Sequence, residues 1–256
     1  MRLTYIGHST VLIEIDGVSV LTDPVLRGRV AHLVRSAPAV DVDAIAKVDL
    51  LLVSHLHPDH FDPGSLQLID RAAHVVVPRG ARRAAARLGF AGVTELAVGE
   101  SSTVGGIEVT ATWAEHRRGR LLDRRSEAIG FTLAGSQRVY FAGDTDLYPG
   151  MREVAGGLDV ALLPVGGWGP RLGRGHLDPD RAAESLTLLE PRVAVPIHWG
   201  TFHRIGLRRT LRALMTEPPR AFAREAARRA PTVDVRILEP GAATTVEDRP
   251  LLKRLR

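Results

Sequence analysis

The sequence predicts a mixed α/β protein of the α+β kind, with its functional residues at the ends of strands. Two observations predict this. Short apolar, β-branched runs recur along the chain and alternate with stretches that carry helix-start signals, such as Asp62-Pro63 and Asp178-Pro179. Four of the runs stop within three residues of a histidine or aspartate: Leu50-Leu51-Leu52-Val53 before His55, residues 106–113 before His116, residues 138–142 before Asp144, and residues 192–197 before His198. No linker, low-complexity tract or short repeat divides the chain, so residues 1–256 are expected to form one domain.

Taken in order, Leu3 to Gly7, Val11 to Ile15 and Val18 to Leu21 read as strands, with Asp16-Gly17 as a hairpin turn. His8 lies between the first two. A lone histidine at a strand end is commonly structural, and a substrate contact is the functional alternative. Asp23 after the third strand is either a turn residue or a carboxylate orienting a ligand histidine. Residues 25–40 show no period and read as a loop, with His32 exposed in it. A helix is expected from Asp62-Pro63 to about Ala73, then a buried strand 74–78 and a helix from Arg79 to Leu88 that stops at Gly89. Strands follow at 93–98 and 106–113, with Gly105-Gly106 turning between them. A hairpin covers 128–134 and 138–142, and a further strand runs from Asp159 to Pro164. The glycine-rich segment Gly166 to Gly175 leads to His176 and to a helix from Asp178-Pro179 to about Leu189. The last core strand is Arg192 to Ile197. Two arginine-rich helices (about 207–215 and 219–230) and a strand at 233–238 complete the expectation.

Composition narrows the classes. Apolar content of 45% with 25% charged residues is that of a soluble globular protein. No apolar run approaches a membrane span, and Met1 to Gly7 reads as a strand rather than a signal peptide, so the expected location is the cytoplasm. Cysteine is absent, which leaves nitrogen and oxygen as the only metal donors. The net charge of +5 comes from arginine, since Lys47 and Lys253 are the only lysines. Arginine suits bidentate contact with phosphate or carboxylate, although most of these arginines read as solvated surface.

The chemistry concentrates in His55-Leu56-His57-Pro58-Asp59-His60. On extended chain His55 and His57 point to the same side and can share one metal, while Asp59 and His60 turn towards a second position. With His116, Asp144 and His198, seven nitrogen or oxygen ligands come from four places in the chain, enough for two metals with open positions.

This order resembles the metallo-β-lactamase superfamily: HxHxDH, a distant His after a strand, Gly143-Asp144-Thr145, and a final His after a strand, over residues 3 to about 246. The resemblance implies a four-layer αββα sandwich with the metals at the edge of two sheets. By similarity His55, His57 and His116 hold one metal, Asp59, His60 and His198 hold the other, and Asp144 bridges. Gly7-His8-Ser9, Gly175-His176-Leu177-Asp178-Pro179 and Ile197-His198-Trp199-Gly200-Thr201-Phe202 are similar to the branch containing N-acyl-phosphatidylethanolamine phospholipase D and the ascorbate-6-phosphate lactonases. The short stretch from Asp144 to His198 leaves no room for the insert of RNA-processing β-CASP nucleases.

The expected activity is that of a binuclear metal-dependent hydrolase acting on a phosphodiester or a phosphate-bearing small molecule through a metal-bridging hydroxide. Two divalent ions about 3.5–4 Å apart can lower the pKa of a bridging water to near 7. Zinc is the expected metal, with manganese and iron open. Asp59 can accept the proton of that water, and His176 can bind a phosphoryl oxygen or protonate the departing alkoxide. Arg117, Arg118, Arg120, Arg171 and Arg174 flank the site and can clamp an anionic, small or lipid-like substrate, with His8 as a further contact. The alternatives are a lactone hydrolase on a sugar phosphate, a nucleic-acid processing nuclease and a non-catalytic metal-binding regulator. An aromatic content of 5% speaks against nucleic acid as partner. The filled ligand pattern speaks against a degenerate site. Self-association into a homo-oligomer stays open.

Overall fold

The computed structural model describes residues 1–116, 126–169, 172–207 and 212–248. Its elements in chain order are β1 (Arg2–Gly7), β2 (Thr10–Ile15), β3 (Val18–Thr22), β4 (Arg29–Val30), β5 (Leu33–Arg35), β6 (Leu50–Leu52), α1 (Pro63–Leu66), β7 (His74–Pro78), α2 (Arg82–Ala86), β8 (Gly92–Leu96) and β9 (Ser101–Val104). There follow β10 (Ile107–Trp113), β11 (Ile129–Ala134), β12 (Arg138–Phe141), α3 (Met151–Val154), β13 (Val160–Pro164), α4 (Pro179–Leu189), β14 (Val193–Ile197), β15 (Phe202–Arg204), α5 (Arg212–Arg229), β16 (Asp234–Val235) and β17 (Ala243–Thr245).

Among the described residues two large sheets form, in the orders β17-β1-β2-β3-β6-β7-β8 and β16-β14-β13-β12-β11-β10-β9. Alternation along single strands shows how they stack. Leu50 and Leu52 of β6 and Val76 of β7 enter the core shared with the second sheet, beside Val109, Phe131 and Phe141. Leu51, Val75 and Val77 point the other way and are covered by Leu66 near α1 and by Ala85 of α2. The second sheet is covered on its outer side by Leu186 of α4 and Phe222 of α5. The order helix, sheet, sheet, helix is the four-layer sandwich expected. Strands buried on both faces read as continuous apolar runs, and each such Leu or Val stabilises the fold by about 1.5–3 kcal/mol.

Several elements differ from expectation. The helices after Asp62 and Arg79 are single turns: Asp62 does cap α1, accepting from Ser65 N at 2.9 Å, but only Ser65 and Leu66 are buried in it. A cap sets where a helix begins, while tertiary contact sets how far it runs. The first expected C-terminal helix lies partly outside the described residues, at 208–211, and its remainder from Arg212 is continuous with the second in α5, which runs through Pro218 and Pro219 because Phe222 and Ala226 beyond them anchor it in the core. An extra strand, β9, pairs with β10 across Gly105-Gly106. The presumed loop 25–40 contains β4 and β5, which join β15 in a small third sheet. These strands are too short to show a period. Among the described residues no helix is long and apolar enough to cross a membrane.

Candidate metal centre

The C-terminal ends of the parallel strands β6, β13 and β14 point to one edge of the sandwich, and the loops that follow them meet there. Hydrogen bonds from Asp23 hold the turn after β6: Oδ1 accepts from Ser54 N at 2.7 Å and Oδ2 from Ser54 Oγ at 2.6 Å. The loop after β12 begins with Gly143 at φ +60, where a side chain would meet Ser54 Cβ at 2.7 Å, so glycine alone lets Asp144 approach the His55 loop. After β14, His198 adopts φ +63 and its N–H donates to the His8 carbonyl at 2.7 Å, with His8 itself at φ +57. Two non-glycine residues in the left-handed region side by side are a local cost that the surrounding contacts hold in place.

All seven expected ligands converge. His55 Nε2 lies 2.9 Å and His116 Nε2 3.2 Å from His57 Nδ1, so three ring nitrogens face one point. Asp59, His60 and His198 form a second, buried group, which His8 joins. Asp144 lies between the two. Its Oδ2 is 3.2 Å from His60 Nε2 and 3.3 Å from His176 Nε2, its Oδ1 is 3.2 Å from His198 Nε2, and with His116 and His176 it forms a further cluster.

Bonds at the far ring nitrogens orient the imidazoles. His60 Nδ1 is 2.7 Å from Asp23 Oδ2, His116 Nδ1 is 2.7 Å from the Gly175 carbonyl and His198 Nδ1 is 2.7 Å from the Gly166 carbonyl. A ring that donates from Nδ1 presents Nε2 as the lone-pair nitrogen. Asp23 is thus the orienting carboxylate, and the backbone carbonyls that do the same for His116 and His198 have no signature in sequence.

Charge explains the titration of the group. Burial, reinforced by His60 and His116, pushes His55 well below the ordinary imidazole range; burial likewise lowers His116, and it lowers His198 to about 3. These rings are neutral and ready to donate lone pairs. Burial also opposes charge on His60, but Asp144, Asp23 and Asp59 raise it well above the usual value. Burial alone would raise Asp144, yet His198 and His60 hold it well below the carboxylate range. Asp23 is raised by burial, against the pull of His60.

The donor set fits divalent cations. Asp23, Asp59 and Asp144 are buried together, and among the described residues their ion-pair partners are histidines, with no lysine or arginine. Asp144 Oδ1 is a buried oxygen without a hydrogen-bond partner. Buried carboxylates without a lysine or arginine partner, grouped with imidazoles, are suited to a metal.

The remaining expected residues separate. His176 lines the cavity of about 350 Å³ in front of the ligands, together with Trp168 and Leu33. His8 does not line it: it is buried behind Asp59, with Nε2 3.0 Å from Asp59 Oδ2, so its contact is with a candidate ligand rather than with a molecule in the cavity. Arg174 is exposed and absent from the cavity wall. Arg117, Arg118, Arg120 and Arg171 lie outside the described residues. His32, expected to be merely exposed, borders the cavity against Trp168, and His74 bonds Thr94 at 2.8 Å far from it. Trp168 was not singled out by sequence reasoning, yet its Nε1 donates to Asp59 Oδ2 at 2.8 Å. Its place within a glycine-rich loop was the only signal.

Comparison with known proteins agrees with this fold. Residues 19–199 match the model of the Beta-lactamase superfamily domain. The UPF0173 metal-dependent hydrolase of Methanopyrus kandleri is 34% identical over 94% of this chain and 98% of its own length. An N-acyl-phosphatidylethanolamine-hydrolyzing phospholipase D of Caenorhabditis elegans is 30% identical over 78% of this chain and 64% of its own. Among solved structures, a metallo hydrolase from Ignicoccus hospitalis superposes with a TM-score of 0.74 at 25% identity, covering 97% of this chain and 99% of that one.

Proposed function

The chain belongs to the metallo-β-lactamase superfamily and is a metal-dependent hydrolase, and from that premise we propose that it holds two divalent ions and cleaves a phosphodiester. The observation that carries the binuclear reading is the position of Asp144, within reach of His60, His198 and His176 and clustered with His116, between two separate ligand groups. His55, His57 and His116 would hold one ion, Asp59, His60 and His198 the other, and Asp144 would serve both. Bound zinc ions would supply the Lewis acidity that activates water near neutral pH and stabilises charge on a phosphoryl oxygen. The phosphodiester reading takes support from the Caenorhabditis elegans relative, whose name states a phospholipase D activity on a phosphatidylethanolamine.

The chain's own residues divide the proton transfers. Asp59 lies on the cavity wall, held below the carboxylate range by His60 and His8 against the opposing effect of burial, and accepts the proton of the attacking water. His176 faces acceptors at both nitrogens, Gly173 O at 3.2 Å and Asp144 Oδ2 at 3.3 Å, which calls for an N–H at each. Burial opposes that charge, but the bond to Asp144 raises the His176 pKa. His176, with its ring on the cavity wall, is placed to donate a proton to the departing alkoxide. Among the described residues no arginine lies on the wall, and there His176 and the metal positions would meet the anionic centre.

The test is a turnover panel on zinc-loaded protein with a phosphodiester, a lactone, a thioester, a β-lactam and an oligonucleotide. The phosphodiester should be the fastest substrate. A lactone or β-lactam turned over faster would overturn the substrate assignment while leaving the hydrolase in place.

A further inference from the structure

The cavity over the candidate metal centre has two unlike walls. One consists of the imidazoles and carboxylates described above. The other is formed by Leu33, Leu172, His32 and Trp168. Trp168 packs on the cluster of Val25, Val30, Leu33 and Phe202 that the small third sheet encloses. The His32 ring meets it edge-on at 4.9 Å between centroids, and the Arg204 guanidinium stands 5.8 Å from its ring centroid. These neighbours fix the indole plane. Among the described residues no lysine or arginine lines the cavity, and apart from the His32 ring this wall offers apolar surface.

The same indole reaches across to the polar wall. Its Nε1 donates to Asp59 Oδ2 at 2.8 Å, and His8 Nε2 lies 3.0 Å from that same oxygen. Hydrogen bonds to an ionised carboxylate are short and strong, and two on one oxygen fix its orientation. A residue that both forms the apolar wall and holds the carboxylate links the place of substrate binding to the place of proton transfer.

We infer that Trp168 serves two parts of one reaction: its ring binds an uncharged, planar or apolar arm of the substrate, and its indole N–H positions Asp59. The inference rests on the phosphodiester reading only for the charged centre to which that arm is attached.

Two probes without an ester bond test it, phenylphosphonate and methylphosphonate, added to zinc-loaded protein and followed through the indole N–H resonances of Trp113, Trp168 and Trp199. Phenylphosphonate should bind about tenfold more tightly and shift the Trp168 resonance. Trp168→Phe keeps a ring and should keep that preference. It removes the donor, so chelator competition should show the tighter-held zinc equivalent bound about tenfold more weakly, and kcat on a phosphodiester should fall about tenfold with KM within about twofold. Trp168→Ala should lose the preference for the phenyl probe as well. Equal binding of the two phosphonates by the wild type overturns the apolar subsite. Unaltered zinc affinity and kcat in Trp168→Phe overturn the positioning of Asp59. The binding and zinc measurements need no turnover. A protein that shows both effects and leaves phosphodiesters intact therefore supports the role of Trp168 while contradicting the proposed substrate.

Discussion

The two candidate ligand groups differ in charge, burial and support. His55, His57 and His116 are three imidazoles without a carboxylate, and His57 and His116 are only half-buried. Asp59, His60 and His198 are buried, include a carboxylate, and are each held by a further bond, from Trp168 and His8, from Asp23 and from the Gly166 carbonyl. A buried, carboxylate-containing group opposes loss of its cation more strongly than a less buried, all-imidazole group. Under graded chelation the proposed ion at His55, His57 and His116 should therefore leave first.

Asp144 belongs to both groups, so its loss should have the largest effect. Asp144→Ala is expected to lower kcat/KM by about 10³ or more and to reduce the content of at least one metal, since the charge it contributes is worth several kcal/mol. A variant with full metal content and near-normal rate would remove Asp144 from the centre. His176→Ala comes next: turnover down by about 10²-fold with both metals retained, measured on one preparation. Loss of a metal there would make His176 a ligand.

Asp23→Asn sharpens the contrast between the groups. Asp23 bonds His60 directly and reaches the imidazole triad only through Ser54, whose Oγ lies 3.0 Å from His55 Nδ1, so the affinity of the buried group should fall more, by about 10–100-fold. Equal weakening of both equivalents in a two-step metal titration would contradict separate support. The smallest effect is expected away from the site, at Asp62. This cap of α1 also bonds Arg27 at 2.7 and 2.8 Å, and Asp62→Ala should cost about 1 kcal/mol in denaturant unfolding without altering metal content. Burial opposes its charge, but Arg27 and Ser65 hold its carboxyl below the usual value. A depressed folded-state pKa stabilises above the unfolded value of about 4. The difference between wild type and variant should thus shrink as pH falls below that point, and growth of the difference in acid would contradict the assignment.

The layers of the sandwich were legible because β6, β7, β13 and β14 are buried almost throughout and write themselves as continuous apolar runs. The candidate ligands were legible because each follows a strand: the His55 loop follows β6, His116 follows β10, Asp144 follows β12 and His198 follows β14. What the sequence did not reveal is made by tertiary contact: β4, β5 and β15 are two or three residues long, α5 runs through a Pro-Pro pair, and α1 stops after one turn. The same holds at the site. His8 reads as a lone histidine until the fold places it against Asp59, and Trp168 reads as a loop residue until its N–H is seen to meet the same oxygen.

The central claim is that the chain holds two metals, and the most direct test is metal stoichiometry by elemental analysis of protein loaded with zinc and desalted. The proposed binuclear centre predicts two equivalents per chain, falling to one in both His116→Ala and His198→Ala. A wild-type value that stays at one or below with zinc or manganese in excess would contradict it.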